Sequence, residues 1–358
     1  MGIKNGAFEV CCFLRNFYSI IKVRDKIDKL GGRRMEYMQI GKSDVQVSKV
    51  ALGTWAIGGG SWWGDNDDAE SIRTIHAALD LGINLVDTAP VYGMGHSEEV
   101  VGKAISDRRQ KVVLSTKCGL MFDRTEGSYY FSRDGKNVYK NLSKGAVIDS
   151  VDQSLRRLKT DYIDIMFTHW QSIEPFIVPV EETMDALMSL KKAGKIRVIG
   201  GSNMSAAHIE EYLQYGELDI IQEKYSLIDK RVEEEILPSA IKHGITFQAY
   251  SPLEQGLLTG KIRKDFVPEP GSTREGKKWY KPENLSKIVD GVDSWKMLCE
   301  KYGCTYGNLA MAWVAAQSPL INVLCGARKI NQIEENVKAS DIKLSPEDIA
   351  FMTQSIIL

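Results

Sequence analysis

Four polar residues that could move a proton follow three consecutive apolar segments of the sequence. Asp87 and Tyr92 lie five residues apart after one segment, Lys117 ends the next segment, and His169 ends the one after that. When a hydride adds to a carbonyl, the alkoxide that forms must be protonated. A tyrosine, with an ordinary pKa of about 10, donates that proton readily near neutral pH only if its phenolate is stabilised. These residue types therefore suit carbonyl reduction.

Each of the four residues has a separate expected role in this chemistry. The Lys117 ammonium would stabilise the phenolate of Tyr92 electrostatically, and Asp87 would keep that lysine charged and oriented. A neutral His169 would hold the carbonyl oxygen beside the phenol. Taken singly, each could instead be structural, as a turn cap, a solvated strand end, a loop anchor or a satisfied core histidine. Their joint occurrence favours a catalytic group.

The strand and helix patterns predict how these residues are brought together. The eight predicted strands are 47–52, 83–86, 112–116, 162–167, 198–200, 220–222, 246–249 and 322–324. Continuous apolar segments are typical of parallel strands buried on both faces, and eight βα units favour a (β/α)8 TIM barrel. A doubly wound sheet is the alternative, but Gly58-Gly59-Gly60 after the first strand lacks the G-x-G-x-x-G spacing. In a barrel, the candidate residues would share one rim.

Helical patterns and two long connections complete the predicted architecture. The predicted helices are 68–81, 97–105, 144–158, 180–193, 206–215, 232–243, 287–301 and 306–316, and another starts near Ile330. Several of them end at glycine, as helix C-termini commonly do. Residues 119–143 and 252–285 are predicted to be loops, and loops of this length are usually lids or binding elements.

Composition limits the classes of partner. The chain has 358 residues, 43% of them hydrophobic, and a net charge of −1, so a single large domain is expected and nothing suggests binding to nucleic acid or a membrane. The six cysteines match no zinc-ligand spacing, so we expect no metal, reduced thiols and a cytoplasmic location. The oligomeric state stays open.

The first 34 residues form a separate segment before the predicted barrel domain of residues 35–358. They do not contain a convincing signal-peptide cleavage site. Gly31-Gly32-Arg33-Arg34 directly precedes Met35 and can be encoded by purine-rich codons that resemble a ribosome-binding site. We therefore expect the natural start to be Met35, with residues 1–34 either a misassigned start or a disordered extension.

Three motifs resemble those of the aldo-keto reductase superfamily, and the resemblance extends from Met38 to the C-terminus. They are Asp87-Thr88-Ala89-x-x-Tyr92-Gly93, Ser115-Thr116-Lys117 and Thr168-His169-Trp170. The resemblance implies that the four candidate residues are a catalytic tetrad with Tyr92 as general acid. It implies reversible reduction of an aldehyde, a ketone or a sugar-derived carbonyl.

Within the superfamily, the chain resembles the bacterial sugar-related and general-stress members and the potassium-channel β subunits, because only a brief segment follows Leu344. The channel subunits suggest an alternative function, a cofactor-binding sensor with slow turnover. The intact tetrad is compatible with both functions.

The resemblance also implies a nicotinamide cofactor site. Asn203 and Gln222 would bind the nicotinamide carboxamide, Tyr250 would stack on its ring, and the loop that follows Tyr250 would cover the pyrophosphate. Arg328 favours NADPH through its charge, with NADH as a second option. The complete set of expected cofactor residues is Trp55, Ser202, Asn203, Gln222, Tyr250, Ser251, Pro252, Leu253, Gly256, Gly260, Gly326, Arg328, Gln332, Glu335 and Asn336.

Aromatic residues are expected to line the substrate end of the barrel. Trp55, Trp62, Trp63 and Trp170 are the candidates, together with the connection 119–143. Rings interleaved with polar side chains suit a polyhydroxylated carbonyl compound, because sugar faces stack on rings while hydroxyls bind polar groups. Some of these rings could instead be core packing.

Overall fold

The computed structural model describes residues 35–358, so the expectation about residues 1–34 lies outside the described residues. In chain order the strands are β1 (Tyr37–Gln39), β2 (Gln46–Ser48), β3 (Val50–Gly53), β4 (Leu85–Asp87), β5 (Val113–Cys118), β6 (Leu120–Met121), β7 (Ser128–Arg133), β8 (Lys136–Lys140), β9 (Ile163–Thr168), β10 (Ile196–Ser202), β11 (Ile220–Lys224), β12 (Thr246–Tyr250) and β13 (Ile321–Gly326).

Eight of these strands close into a parallel barrel, which confirms the predicted (β/α)8 fold. Around the barrel the order is β3, β4, β5, β9, β10, β11, β12 and β13. Every residue of β5 and β9 is buried, because helices cover their outer faces and side chains fill the interior. The register pairs Gly53 with Asp87 and Asp87 with Ser115, so the ends of neighbouring strands lie side by side.

Helices follow the barrel strands and cover the outside. They are α1 (Gly60–Trp63), α2 (Asp68–Asp80), α3 (His96–Ile105), α4 (Lys144–Leu158), α5 (Val180–Lys192), α6 (Ala206–Tyr215), α7 (Ile236–His243), α8 (Pro282–Ser294), α9 (Lys296–Tyr302), α10 (Tyr306–Ala316), α11 (Ile330–Asn336) and α12 (Pro346–Ser355). The helix predicted over 287–301 is two helices, because the chain leaves helical hydrogen bonding around Trp295.

The strand predicted over 47–52 is also divided. Its first part belongs to β2, which pairs antiparallel with β1, and only its second part enters the barrel as β3. The apolar side chains of this hairpin, including Val47, pack against barrel residues near the strand starts, such as Ile165 and Val198. The hairpin therefore closes the end of the barrel opposite the expected site.

The sequence predicted that the connection 119–143 is a loop, but the structure shows that it contains regular β-strands. It contains a three-stranded antiparallel sheet in the order β6-β8-β7. We call β6, β7 and β8 the cap sheet. Its hydrogen-bonded backbone gives the aromatic side chains of this segment fixed positions, which an irregular loop would not provide. No helix among residues 35–358 combines the length and the apolar character required to span a bilayer.

Asp164 is predicted to be a main determinant of barrel stability. Its buried carboxylate binds Arg109 at 2.8 Å, Arg197 at 2.8 Å and the backbone N–H of Leu114 at 3.0 Å. Asp164→Ala should lower the free energy of unfolding by about 3–5 kcal/mol, because it leaves buried positive charge unpaired. Urea denaturation measures this change.

Asp44→Ala is the matched control, since that 86% exposed carboxylate binds only the outer side of Arg197. Its effect should stay below about 1 kcal/mol. Equal losses in the two variants would show that the buried carboxylate has no special role.

Candidate active site

The site is built around a buried ion pair between two barrel strands. Lys117 is fully buried, and its Nζ donates to Asp87 Oδ2 at 2.7 Å and to the carbonyl of Thr88 at 2.8 Å. The other oxygen of Asp87 accepts from Ser115 Oγ at 2.9 Å and Gln222 Nε2 at 3.0 Å. Burial lowers the pKa of Lys117, and the adjacent carboxylate opposes that shift.

A close backbone contact places Tyr92 on the same rim. A Cβ at Gly58 would lie 2.6 Å from the carbonyl carbon of Tyr92, and a Cβ at Gly93 would lie 2.2 Å from the carbonyl oxygen of Gly58. Gly93 also has a φ of 63°, which side chains disfavour. Glycines at both positions therefore allow the loop after β3 to press against the Tyr92 turn and fix its position.

The electrostatic setting of Tyr92 combines burial with two nearby charges, those of Lys117 and Asp87. Lys117 Nζ lies 4.8 Å from the centre of the Tyr92 ring, as expected for a lysine that stabilises the phenolate. Nevertheless, burial and the negative charge of Asp87 hold the pKa of Tyr92 well above its ordinary value. Burial is the larger of these two causes, because a phenolate formed here would lose its hydration. Tyr92 therefore rests as a protonated phenol.

His169 stands beside Tyr92, with 6.0 Å between the ring centres and an angle of 82° between the planes. Burial, and then the positive charges of Lys117 and Lys140, hold the pKa of His169 well below its ordinary value. Its Nδ1 is buried and has no hydrogen-bond partner among residues 35–358. The ring is therefore neutral, and a buried polar atom remains available to a ligand.

The expected nicotinamide residues occupy adjacent strand ends and are linked to one another. Asn203 Nδ2 donates to the carbonyl of His169 at 3.0 Å, and Tyr250 Oη donates to Asn203 Oδ1 at 2.8 Å. Ser202 Oγ donates to the carbonyl of Gln222 at 2.8 Å. Because Gln222 also binds Asp87, this group is connected directly to the ion pair. The side-chain amides of Asn203 and Gln222 and the ring of Tyr250 have fixed positions here, at which they could bind a planar carboxamide group.

The loop 251–260 is tightly turned and leaves space beside one of its glycines. Ser251, Gln255 and Gly256 have φ values of 56°, 57° and 94°, in the left-handed region. Glu254 also has a positive φ, of 44°, so three consecutive residues are left-handed, and the glycine among them lets a phosphate approach the backbone closely. The space beside Gly256 faces a cation, because a Cβ there would meet only the Arg274 guanidinium, at 3.8 Å. These features fit a pyrophosphate.

Buried neighbours hold that loop in place. Pro252 is buried, and Leu253 packs on the main core. Glu254 accepts from Ser226 Oγ at 2.8 Å and pairs with Lys224 at 3.0 Å. At the far end, a Cβ at Gly260 would lie 2.5 Å from the ring of Tyr306, so only glycine fits.

The predicted adenosine end lies after β13, at the start of α11. Arg328 Nη1 donates to the carbonyl of Trp63 at 3.0 Å, and its backbone N–H donates to Gln332 Oε1 at 2.8 Å. No carboxylate among residues 35–358 pairs with this guanidinium. Glu335 accepts from Thr305 Oγ1 at 2.9 Å, and Asn336 Nδ2 donates to the carbonyl of Gly326 at 3.5 Å. The free charge of Arg328 fits a phosphate.

The predicted substrate aromatics form a continuous wall. Trp55 contacts Trp62 and Trp63, with ring centres 5.8 and 5.3 Å away, and lies 6.1 Å from Tyr92. From Trp62 the wall continues through the cap sheet to the tryptophan beside His169, in the order Phe131, Tyr130 and Trp170. The indole N–H groups of Trp55 and Trp63 are buried without partners among the described residues. Two buried donors therefore belong to the same wall as these rings.

Several supporting residues were missed by the sequence analysis. Gln222 donates to Gln248 at 2.6 Å, and Gln248 donates to Asn322 at 2.8 Å, so a chain of side-chain amides crosses the barrel interior. Glu223 accepts from the backbone of Met204 at 2.6 Å, and burial raises its pKa to about 8. The polar residues inside apolar strand segments were the available signal, because such residues require buried partners.

Comparison with known proteins places the chain in a family. A model of the aldo/keto reductase family matches residues 49–357. An Escherichia coli protein named NADH-specific methylglyoxal reductase is 49% identical over 322 residues, covering 89% of this chain and 98% of that protein. A probable voltage-gated potassium channel subunit beta from Arabidopsis thaliana is 32% identical over 322 residues, covering 86% and 92%.

A solved structure gives the same result. The glycerol dehydrogenase from Gluconobacter oxydans has 36% sequence identity and a TM-score of 0.81, covering 89% of this chain and 94% of that one. The resemblance found in the sequence motifs is confirmed, including its potassium-channel β-subunit branch. The chain belongs to the aldo/keto reductase family.

Proposed function

We propose that this protein reduces the carbonyl group of a small molecule with a nicotinamide cofactor, and that Tyr92 donates the proton. The observation that carries the proposal is the buried Lys117 ammonium, which is 2.7 Å from Asp87 and 4.8 Å from the Tyr92 ring centre. A buried ion pair beneath a phenol is costly to maintain, and its chemical use here is to stabilise the phenolate left after proton transfer.

The cofactor supplies the hydride when bound, and the residues of this chain do the rest. Ser202, Asn203 and Gln222 would hold its carboxamide, and the loop 251–260 would hold its pyrophosphate. The carbonyl oxygen of the substrate lies between the Tyr92 hydroxyl and the neutral His169 ring, which donates an N–H hydrogen bond to it. The negative charge that reduction would place on the carbonyl oxygen would be neutralised by the proton of the Tyr92 hydroxyl.

Lys117 acts at the moment when the proton leaves Tyr92. The phenolate is then a second anion near Asp87, and the Lys117 ammonium is close to both groups. Its charge offsets part of the cost of burying the phenolate and of the repulsion by Asp87, the two causes that raise the pKa of Tyr92.

For the substrate, we propose a small aldehyde, ketone or sugar-derived carbonyl compound. The aromatic wall from Trp63 to Trp170 supports this proposal, because rings cover the nonpolar faces of such compounds. Two similar proteins carry names that involve small oxygenated compounds, methylglyoxal and glycerol. The expected cytoplasmic location and the start at Met35 stay predictions.

For the cofactor, we propose NADPH as the preferred form, with NADH also accepted. The Arg328 guanidinium, which pairs with no carboxylate among residues 35–358, supports a 2′-phosphate contact. The Escherichia coli relative is named as NADH-specific, so the preference of this chain depends on its own residues at this end of the site.

The alternative function, a sensor with slow turnover, draws support from the similarity to a plant potassium channel subunit. Turnover separates the two proposals. We expect rapid oxidation of NADPH, followed at 340 nm, with methylglyoxal or glyceraldehyde as substrate. Tight cofactor binding without turnover of any carbonyl in a broad panel would favour the sensor.

Tyr92→Phe should lower kcat/KM for methylglyoxal by about 100-fold or more, because it removes the proton donor. The dissociation constant for NADPH should stay within about threefold, since the ring remains. Steady-state kinetics and fluorescence titration measure these quantities. Tyr129→Phe is the matched control, because that hydroxyl is on an exposed side chain of the cap sheet. Comparable turnover in Tyr92→Phe and wild type would contradict the mechanism.

Arg328→Ala should raise the dissociation constant for NADPH by about tenfold, because a charge-assisted contact with the 2′-phosphate is lost. Binding of NADH should change little. Lys338→Ala, which removes a positive charge just after the end of α11 and outside the proposed site, should affect neither cofactor. An equal loss of affinity for NADPH and NADH in Arg328→Ala would rule out the 2′-phosphate contact.

A further inference from the structure

Lys140 is a lysine of the cap sheet that the proposed mechanism does not use. It is the last residue of β8 and is only 5% exposed. Its Nζ lies 4.2 Å from the centre of the Tyr130 ring and 4.9 Å from the centre of the Trp170 ring. Both rings belong to the aromatic wall, so the ammonium group sits within the lining of the proposed substrate site.

No acidic group among residues 35–358 neutralises Lys140. The other two inward lysines of the rim are paired, Lys117 with Asp87 at 2.7 Å and Lys224 with Asp229 at 2.9 Å. Lys140 Nζ has neither a salt bridge nor a hydrogen bond within the described part of the chain. Two aromatic faces attract a cation, but they replace only part of the hydration that an ammonium loses on burial.

The electrostatic effect of Lys140 reaches the reacting group. Its positive charge contributes to the lowered pKa of His169, the residue next to Trp170 in the chain. Burial lowers the pKa of Lys140 itself, and no neighbouring carboxylate opposes that shift. A bound anion would oppose it, because an opposite charge favours the charged form of the lysine.

We propose that Lys140 recognises an anionic group, a carboxylate or a phosphate, on the carbonyl substrate. The anionic group binds the Lys140 ammonium at the cap sheet, while the carbonyl of the same molecule lies at Tyr92 and His169. Tyr130 and Trp170 hold the ammonium in position and cover the nonpolar part of the substrate between the two ends. This inference rests on the proposed function and narrows its substrate class to aldehydes and ketones that carry a negative charge.

The competing explanation is that Lys140 only stabilises the cap sheet through its contacts with the rings. Lys136 separates the two explanations. It lies on the same strand and on the same face, with its Nζ 4.6 Å from the centre of the Phe122 ring, but it is exposed to solvent. If removing any ring-bound lysine from β8 alters activity, substitution of either lysine will have that effect. If Lys140 binds the substrate, only substitution of Lys140 will change the preference for anionic substrates.

The test compares matched neutral and anionic substrates. One arm pairs 4-carboxybenzaldehyde with its methyl ester, and the other pairs glyceraldehyde 3-phosphate with glyceraldehyde, so carboxylate and phosphate are distinguished. The quantity measured is the ratio of kcat/KM for the anionic member to that for the neutral member, with NADPH. Wild type should prefer the anionic member in at least one arm.

Lys140→Met should lower that ratio on the order of 10- to 100-fold, the range typical of a lost charge-assisted contact. The loss should appear mainly in KM for the anionic substrate. Lys140→Arg should retain most of the preference, and Lys136→Met should retain the wild-type ratio. Melting temperatures and NADPH titrations show whether each variant is folded; if Lys140→Met is not, Lys140→Gln replaces it.

Failure of this inference is distinguishable from failure of the proposed function. Wild-type turnover of neutral aldehydes without any anionic preference, or an unchanged ratio in Lys140→Met, would overturn the role of Lys140 and leave carbonyl reduction intact. If wild type turned over no carbonyl, the proposed function would fail. Binding of 4-(hydroxymethyl)benzoate, measured by tryptophan fluorescence, would then still test the anion site, and equal affinity in wild type and Lys140→Met would overturn it.

Discussion

The buried ion pair between Asp87 and Lys117 is the interaction on which the rest of the site depends. Neither side chain has contact with bulk water, so each charge is tolerated only because of the other and of the hydrogen bonds around them. Those bonds come from Ser115 and from Gln222 across the barrel. Such a pair is weak evidence for stability, because desolvation offsets much of the attraction. Its position 4.8 Å from the Tyr92 ring centre fits the proposed chemical role instead.

The barrel makes this arrangement rigid. Parallel strands bring Asp87, Lys117 and His169 to one rim, and the contact between Gly58 and Gly93 fixes the turn that carries Tyr92. The amide chain from Gln222 toward Asn322 crosses the interior and leaves the carboxylate little freedom to move. Catalysis by fixed charges requires this kind of preorganisation, since a charge that must reorient loses part of its effect. The cap sheet then adds aromatic walls above a site that the barrel has already fixed.

Much of the barrel fold could be predicted from the sequence. The β-branched apolar segments indicate the strands, and the helical patterns that end at glycine indicate the helices between them. The convergence of the four candidate residues followed from their positions at strand ends. Pairing within 119–143 could not be predicted, since its strands are short and their apolar alternation is weak. The direction of the pKa shift of Tyr92 could not be predicted either, and neither could the lack of an acidic partner for Lys140 among residues 35–358. Both depend on which groups are in contact in the folded chain. The sequence shows a lysine at position 140, but it does not show that no acidic side chain among residues 35–358 pairs with Lys140.

The most direct test of the ion pair as the centre of the chemistry is the kcat of Asp87→Asn for a neutral aldehyde such as methylglyoxal. The substitution preserves the shape of the side chain and removes its charge, so Lys117 loses the group that keeps it protonated. The account predicts that kcat falls by about 100-fold or more, while NADPH binding and the circular dichroism spectrum change little. A kcat within threefold of wild type in a folded, NADPH-binding Asp87→Asn protein would contradict it.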